Sequence, residues 1–214
     1  MGAKRFKNYE DLRGANIGSS GITSGTAFVL RRMLAVKGLQ TPKDYNLINA
    51  SPSAQSYLAL TASRVDAALI AVPLSSDAAK IGYNIIGRAS DIVPNYHLTE
   101  ISTRRSWAEK NRRVMVRFMK AMARAMRRLY DNKEAAIEFL AKEMRLKAEH
   151  ARKGWEFYTE QKIWNPNAEA NVEGVRTVIQ IMGERGLLKA PLPNPAKYLG
   201  HSYADEALKE LGKR

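Results

Sequence analysis

A strand, a loop rich in glycine and serine, and a helix follow one another near the start of the chain. Asn16–Gly18 are typical of a strand end, Ser19–Gly25 of a tight polar loop, and Thr26–Val36 of an amphipathic helix. This segment constrains the fold more than any other, because it fixes a strand-to-helix connection within a few residues.

The loop between this strand and helix is suited to binding an anion. Glycines let a ligand approach the backbone, and the first N–H groups of a helix have no partners within the helix. The helix dipole favours negative charge at the same place. A carboxylate, sulfonate or phosphate would be held by these N–H groups and by the hydroxyls of Ser19, Ser20, Thr23 and Ser24. The same residues also suit a well-capped turn without any ligand.

Strands and helices alternate up to about residue 90. This alternation predicts an α/β fold with a mainly parallel sheet and helices on both faces. We predict strands over 45–49, 65–72 and 83–88, helices over 51–63 and 74–81, and an extended segment over 93–102.

Helices alone are predicted beyond residue 103, and this change marks a boundary. The sequence therefore predicts two regions, 1–92 and 93–214, the first α/β and the second helical after one extended crossing. The predicted helices are 104–130, 132–144, 147–160, 168–185 and 203–212.

Composition excludes several kinds of site and leaves one open question about charge. The 214 residues include no cysteine, which removes disulfides and thiolate metal sites, and the three histidines lie in different predicted elements without ligand spacing. No apolar run suits a membrane span or an export signal. The formal net charge of +14 raises the question of an anionic partner.

Much of this charge lies on one predicted helix. Its basic face is most simply solvated and its apolar face most simply packed on a core, since aromatic residues that would stack on bases are not interleaved with the charges. The basic face comprises Arg113, Arg117, Lys120, Arg124, Arg127 and Arg128, and the apolar face Met115, Phe118, Met119, Met122, Met126 and Leu129.

Several segments together resemble the solute-binding proteins of ABC importers, in particular the nitrate, sulfonate, taurine and thiamine-precursor group with the type II periplasmic-binding fold. Tyr9–Gly18 is similar to the family's DLKGKxIG motif, Arg31–Asp44 to its LRxxLxxxGLxPxD motif, and Ala59–Ala68 to ALxxGxVDAA, with Ser63 in place of glycine. Trp107–Ala136 resembles the family's long return helix. The order and spacing of these motifs carry the resemblance.

The resemblance implies a fold, a function and further site residues. The fold would be a type II lobe followed by the helical part of an incomplete first lobe, so the chain would be truncated at its N-terminus. The function would be capture of a small anion in a cleft between lobes, which close about crossing strands near Ile92–Tyr96, and delivery to a membrane permease. Ligand contacts would come from the serine loop and from Val72, Pro73, Leu74 and Ser75 after the apolar strand, with Asp66 as a weaker candidate that also suits a structural role.

The resemblance also implies a location and excludes some partners. It implies a periplasmic protein without a cofactor or catalytic residues, whereas a chain complete as given would be cytoplasmic. An incomplete cleft face would also favour pairing with a second copy.

Three other functions remain as alternatives. An enzyme is disfavoured by the scattered histidines and the lack of cysteine, which the family's thiamine-pyrimidine enzymes use. A cytoplasmic ligand-sensing domain, such as the effector domain of LysR-type regulators, shares the type II fold but ends without such a long helical tail. A nucleic-acid-binding protein would use the basic face of Arg104–Arg128 and bind less tightly as salt increases.

Overall fold

The computed structural model describes residues 1–50 and 53–212 and contains two compact units. The first unit comprises residues 1–98 and 180–187, and the second comprises 99–179 and the described chain from Leu188 onward. The predicted helix start at Ser51 and Pro52 lies outside the described residues. No helix in the described part of the chain is long and apolar enough to span a bilayer.

The first unit is an α/β structure built on a small parallel sheet. Its strands lie in the order β2-β1-β3, so the first strand is central. Both neighbours run parallel to β1, which confirms the predicted fold class. The strands are β1 (Asn16–Ser19), β2 (Asn46–Asn49) and β3 (Ala67–Ala68), and the helices are α1 (Gly25–Ala35), α2 (Ser53–Thr61), α3 (Leu74–Lys80) and α4 (Ala89–Ile92).

Alternate residues of β1 pack on opposite faces of the sheet. Ile17 is 1% exposed and belongs to a core cluster with Leu30 and Leu34 of α1. Gly18 lies on the other face, where a Cβ atom would meet Val65 at 3.3 Å. A larger residue at position 18 would therefore push β1 away from its neighbours, since buried side chains are packed without free space.

Two of the predicted strands differ from the structure. The predicted strand over 65–72 is paired only at Ala67–Ala68. The predicted strand over 83–88 contributes a single antiparallel bridge at Asn84. The Asn84 side chain instead donates to the carbonyl oxygens of Lys4 and Phe6, at 3.0 and 2.9 Å, so an N-terminal segment that the local pattern does not reveal lies beside it.

This N-terminal segment extends the sheet beyond β3. Gly2 bridges both Ala67 and Asn84 in the antiparallel sense. The Met1 carbonyl accepts a hydrogen bond from the Ala68 N–H at 2.8 Å. The pairing partners of β3 are therefore β1 on one side and the start of the chain on the other.

The second unit consists of helices in the described residues. The predicted helix over 104–130 is interrupted at Asn111, whose backbone leaves the helical region (φ −119°, ψ 36°) and whose side chain donates to the Trp107 carbonyl at 2.8 Å. The helices with residues in this unit are α5 (Arg105–Lys110), α6 (Arg112–Asp131), α7 (Lys133–Glu143), α8 (Ala148–Glu160), α9 (Val172–Glu184, whose last residues belong to the first unit) and α10 (His201–Leu211). A short 3₁₀ turn at Pro195–Tyr198 also lies in this unit, and another at Glu10–Leu12 lies in the first.

The face of α6 that is buried differs from the predicted apolar face. Its buried residues are Val116 and Ala123, whereas Phe118 is 37% exposed. The other residues of the predicted apolar face are half-buried, namely Met115, Met119, Met122, Met126 and Leu129. Helix α10 packs against α6, and its residues Glu206 and Glu210 pair with Arg112 and Lys120.

Candidate anion-binding site

The loop after β1 is held in a tight turn by its own backbone. The Ser19 carbonyl accepts hydrogen bonds from the N–H groups of Gly21 and Ala50, both at 2.8 Å. Gly21 has φ +103°, a conformation that favours glycine. This turn brings the chain from the carboxyl end of the central strand directly to the start of α1.

Three hydroxyl groups form a connected cluster at the start of α1. The Ser20 Oγ and Thr26 Oγ1 atoms lie 2.6 Å apart, and the Ser24 Oγ and Thr26 Oγ1 atoms lie 2.7 Å apart. Ser24 also accepts a hydrogen bond from the Ala27 N–H at 3.2 Å, so it is the N-cap of α1. Thr26 was not among the predicted site residues, although a hydroxyl at the second helical position would have been a usable signal.

Backbone donors lie beside this hydroxyl cluster. Within the described residues, the N–H groups of Gly25 and Thr26 donate to no acceptor. The first turn of α1 contains no acidic residue that would compete for them. Because α1 has eleven residues, its dipole also favours an anion at this end.

Ser19 provides an independent indication that a ligand atom belongs here. The Ser19 side chain is 0% exposed, and its Oγ atom has no hydrogen-bond partner among the described residues. A buried hydroxyl without a partner loses its hydration and gains nothing in return, so native structures rarely contain one. A bound ligand or an internal water at this end of β1 would satisfy it.

The second group of predicted residues lies at the start of α3, after β3. Because β1 and β3 are parallel, their carboxyl ends meet at the same edge of the sheet, which is where Val72 and Pro73 precede α3. The backbone N–H of Ser75 already donates to the Ala71 carbonyl, and Leu74 packs against the core cluster that contains Leu60. The N–H of Ser75 is therefore not available to a ligand, and Leu74 contributes mainly to the core.

The structure does not bring Asp66 to this edge. Asp66 lies at the amino end of β3, where its carboxylate accepts from the Asn16 N–H at 2.9 Å and pairs with Arg5. Parallel strands put the starts of β1 and β3 at the edge opposite to their ends. These contacts agree with the structural role that was the alternative to ligand binding for Asp66, and they put it away from the hydroxyl cluster at the start of α1.

A segment that follows α4 covers the start of α1 and supplies two residues that the sequence did not indicate. The Tyr96 hydroxyl donates to the Gly25 carbonyl at 3.3 Å. A Cβ atom at Gly25 would lie 3.0 Å from the Leu98 Cδ1 atom. We refer to residues 93–98 as the covering segment, and a side chain at position 25 would require Leu98 to shift.

The basic face of α6 is divided by its ion pairs. Arg112 donates to Glu206 at 2.9 and 2.7 Å, and Lys120 pairs with Glu210. Arg127 donates to the Leu211 carbonyl at 3.0 Å, so Lys120 and Arg127, two of the six residues of the basic face, contact α10. Four exposed arginines have no carboxylate within ion-pair distance in the described chain, namely Arg113, Arg117, Arg124 and Arg128.

Metal ligands do not converge anywhere in the described residues, because no group of three or more His, Asp or Glu side chains has the spacing to hold an ion. The site is thus built from neutral hydroxyl and N–H donors. Such donors suit recognition of an anion by hydrogen bonds rather than by a counter-charge.

A comparison with protein families matches residues 2–143 to the model of the NMT1-like family. The chain belongs to the NMT1-like family. The match covers all three strands of the sheet and the helices from α1 to α7. No curated protein sequence gives a significant match.

Solved structures agree with the fold of this family member. The chain is similar to a Bordetella bronchiseptica RB50 protein, with a TM-score of 0.70, 18% identity, and coverage of 99% of this chain and 70% of that one. It is similar to the periplasmic aliphatic sulphonate-binding protein SsuA of Escherichia coli, with a TM-score of 0.63, 21% identity, and coverage of 91% and 61%. It is also similar to the alkanesulfonate-binding protein SsuA of Xanthomonas axonopodis pv. citri bound to MOPS, with a TM-score of 0.66, 18% identity, and coverage of 92% and 67%.

These neighbours confirm the periplasmic-binding-protein-like α/β fold that the sequence resemblance implied. Two of them are named as sulfonate-binding proteins. The chain spans 61% to 70% of the length of the three structures.

Proposed function

We propose that this NMT1-like protein binds a small oxyanion at the start of α1 and serves as a solute-binding component of an ABC importer. The observation that carries the proposal is the buried Ser19 hydroxyl, which has no partner in the described residues and precedes the hydroxyl cluster of Ser20, Ser24 and Thr26 in the same loop. These groups and the two N–H groups of the first helical turn supply donors for several anion oxygens.

A sulfonate is the first ligand class to test, followed by carboxylate, nitrate and phosphate. Sulfonates carry three oxygens and one delocalised charge, which several neutral donors can share. The proposal draws on two structural neighbours that are named as sulfonate-binding. It also agrees with the absence of an acidic residue in the first turn of α1.

The remaining parts of the proposal follow the family resemblance. The loaded protein would present its ligand to a membrane permease from the periplasmic side, after closure about the crossing near Ile92–Tyr96. The two predicted regions, 1–92 and 93–214, would correspond to one lobe and part of another. Pairing with a second copy would be seen as a dimer in size-exclusion chromatography, and a monomer would contradict that part alone.

Isothermal titration with methanesulfonate, taurine, acetate, nitrate and phosphate tests the ligand class directly. Ser20→Ala removes one hydroxyl of the cluster without removing the N-cap, and we expect it to weaken binding by roughly tenfold, the value of one hydrogen bond to a charged group. Ser90→Ala is the matched control, because Ser90 is an exposed serine on α4, outside the site.

Three results would contradict the proposal. One is that none of the anions raises the unfolding temperature or gives a binding isotherm, and another is that Ser20→Ala binds as tightly as the unchanged protein. The third is binding of a DNA duplex, lost in high salt, as the sole interaction, which would favour the basic face of α6 instead.

A further inference from the structure

A second polar groove runs along the outer edge of β2. Among the described strands β2 pairs only with β1, so its other edge faces this groove. The groove is open, has a volume of about 450 Å³, and is lined in part by Arg31, Thr41 and the β2 residues Asn46, Leu47 and Ile48. This volume is within the range of small-molecule sites.

Arg31 brings an uncompensated positive charge to the groove. No carboxylate in the described residues lies within ion-pair distance of Arg31 or of the nearby Arg185. The neighbouring residue Arg32, by contrast, pairs with Glu184 at 2.9 Å. Burial, and then the charge of Arg185, lower the pKa of Arg31 below its usual range.

The guanidinium of Arg31 is the charged donor that lines the groove. Tyr45, the residue before β2, is only 2% exposed and belongs to the core, where burial raises the pKa of its hydroxyl and the charges of Arg31 and Arg185 oppose that rise. The Arg185 guanidinium lies over the Phe28 ring. A planar guanidinium without a carboxylate partner suits a carboxylate, phosphate or sulfate group.

The rest of the groove combines a fixed polar group with apolar side chains. The Asn46 amide donates to the Asn16 side-chain oxygen at 3.1 Å, which holds both amides in place. Ile48, further along β2, is 38% exposed, and Leu47 lies between these residues. A ligand with a charged end at Arg31 would thus meet apolar surface along β2.

We propose that the groove beside β2 binds a small organic anion, whose carboxylate, phosphate or sulfate group pairs with Arg31 and whose short aliphatic part packs on Ile48. This site differs from the start of α1 in its chemistry, because its main donor is a charged guanidinium. It also differs in place, since Arg31 is two turns into α1 and Asn46 is at the amino end of β2.

Isothermal titration with acetate, butyrate and hexanoate tests the proposal, with hexylamine as the probe of opposite charge. The dissociation constant should fall roughly two- to fourfold with each added methylene, as expected for partial burial of an aliphatic chain. Hexylamine should not bind. The Ile48→Ser variant should lose this dependence on chain length.

The matched pair Arg31→Gln and Arg32→Gln isolates the charge in the groove. Each variant removes one positive charge, and the two positions are adjacent on α1. Of these two arginines, Arg31 lines the groove and Arg32 does not. We expect hexanoate to bind at least roughly tenfold more weakly to Arg31→Gln and unchanged to Arg32→Gln. Arg31→Lys, which keeps the charge but not the planar fork, should give an intermediate loss.

Four results would overturn the proposal: equal binding by the two glutamine variants, binding of hexylamine as tight as that of hexanoate, no dependence on chain length, or no binding of hexanoate at millimolar concentration. Ser20→Ala separates this groove from the site at α1. A fifth overturning result would be loss of hexanoate binding in Ser20→Ala together with unchanged hexanoate binding in Arg31→Gln. It would assign the aliphatic anion to the α1 site.

Discussion

Replacing Ser19 by alanine should stabilise the ligand-free protein and weaken anion binding at the same time. The Ser19 side chain is 0% exposed and its Oγ atom has no partner in the described residues. An unsatisfied buried polar group costs about 1–3 kcal/mol, so Ser19→Ala should raise the free energy of unfolding by about 1 kcal/mol or more. For a chain of this length that is about 2–4 °C in the unfolding temperature.

Anion affinity should change in the opposite direction. If the Ser19 hydroxyl donates to the bound anion, its loss removes a charge-assisted hydrogen bond worth about 1.5–3 kcal/mol, or roughly 10- to 150-fold in the dissociation constant. Urea denaturation of the ligand-free protein and titration with methanesulfonate measure the two effects separately.

Ser56 is the matched control, because it is equally buried but satisfied. The Ser56 side chain is 0% exposed and donates to the Ala50 carbonyl at 3.0 Å. Ser56→Ala should therefore destabilise the protein by about 1 kcal/mol, the opposite sign from Ser19→Ala. If both variants are destabilised alike, the Ser19 hydroxyl is hydrogen-bonded in the free protein. If Ser19→Ala is more stable but binds the anion equally well, the hydroxyl does not face the ligand.

Three further predictions concern stability. Leu60 is 0% exposed, so Leu60→Ala should lower the free energy of unfolding in urea by about 2–5 kcal/mol. Leu58 is 52% exposed on the same helix, so Leu58→Ala should lower it by less than about 0.5 kcal/mol. Equal losses would contradict the described burial. The backbone N–H of Gln40 and nearby cations hold the pKa of Asp44 below its usual value of 3.8. The charged Asp44 carboxylate therefore stabilises the fold above pH 3.8, and this stabilisation is lost as the pH falls through the lowered pKa. Asp44→Asn should unfold at a lower temperature than the unchanged protein at pH 7 and at the same temperature in strong acid. A difference that stays constant across pH would refute this reasoning. Glu206→Gln breaks an exposed ion pair between α10 and α6, so it should lower the free energy of unfolding by no more than about 1 kcal/mol in low salt, as measured by thermal unfolding. A larger loss would mean that the pair is shielded from water, contrary to its exposure.

Local sequence patterns were sufficient for the elements near the candidate site. The turn after Gly18, the helix that follows it and the cap at Ser24 are all in the structure, because each depends on neighbouring residues. An N-cap side chain accepts from an N–H group two or three residues later, so this contact depends only on residues close in sequence. The order of weak motifs was likewise enough to identify the family, since the match over residues 2–143 depends on the linear sequence.

Tertiary structure decided what the local patterns could not contain. Asp66 faces Asn16 rather than the serine loop, because strand direction puts the two ends of β3 at opposite edges of the sheet. The apolar segment after Gly82 forms one bridge instead of a strand, and its partner in that bridge is Gly2 at the start of the chain. Pairing between residues some eighty positions apart leaves no local signature.

The candidate sites show the same division. The hydroxyls of the loop after β1 are visible in the sequence, but the sequence alone does not show that Ser19 is buried without a partner. Nor does it show that the covering segment lies on Gly25, or that Arg31 lacks a carboxylate while Arg32 has one. Residue type determines which hydrogen bonds and charges a side chain offers, whereas only packing determines which of them are left unsatisfied, and those are the groups that a ligand would complete.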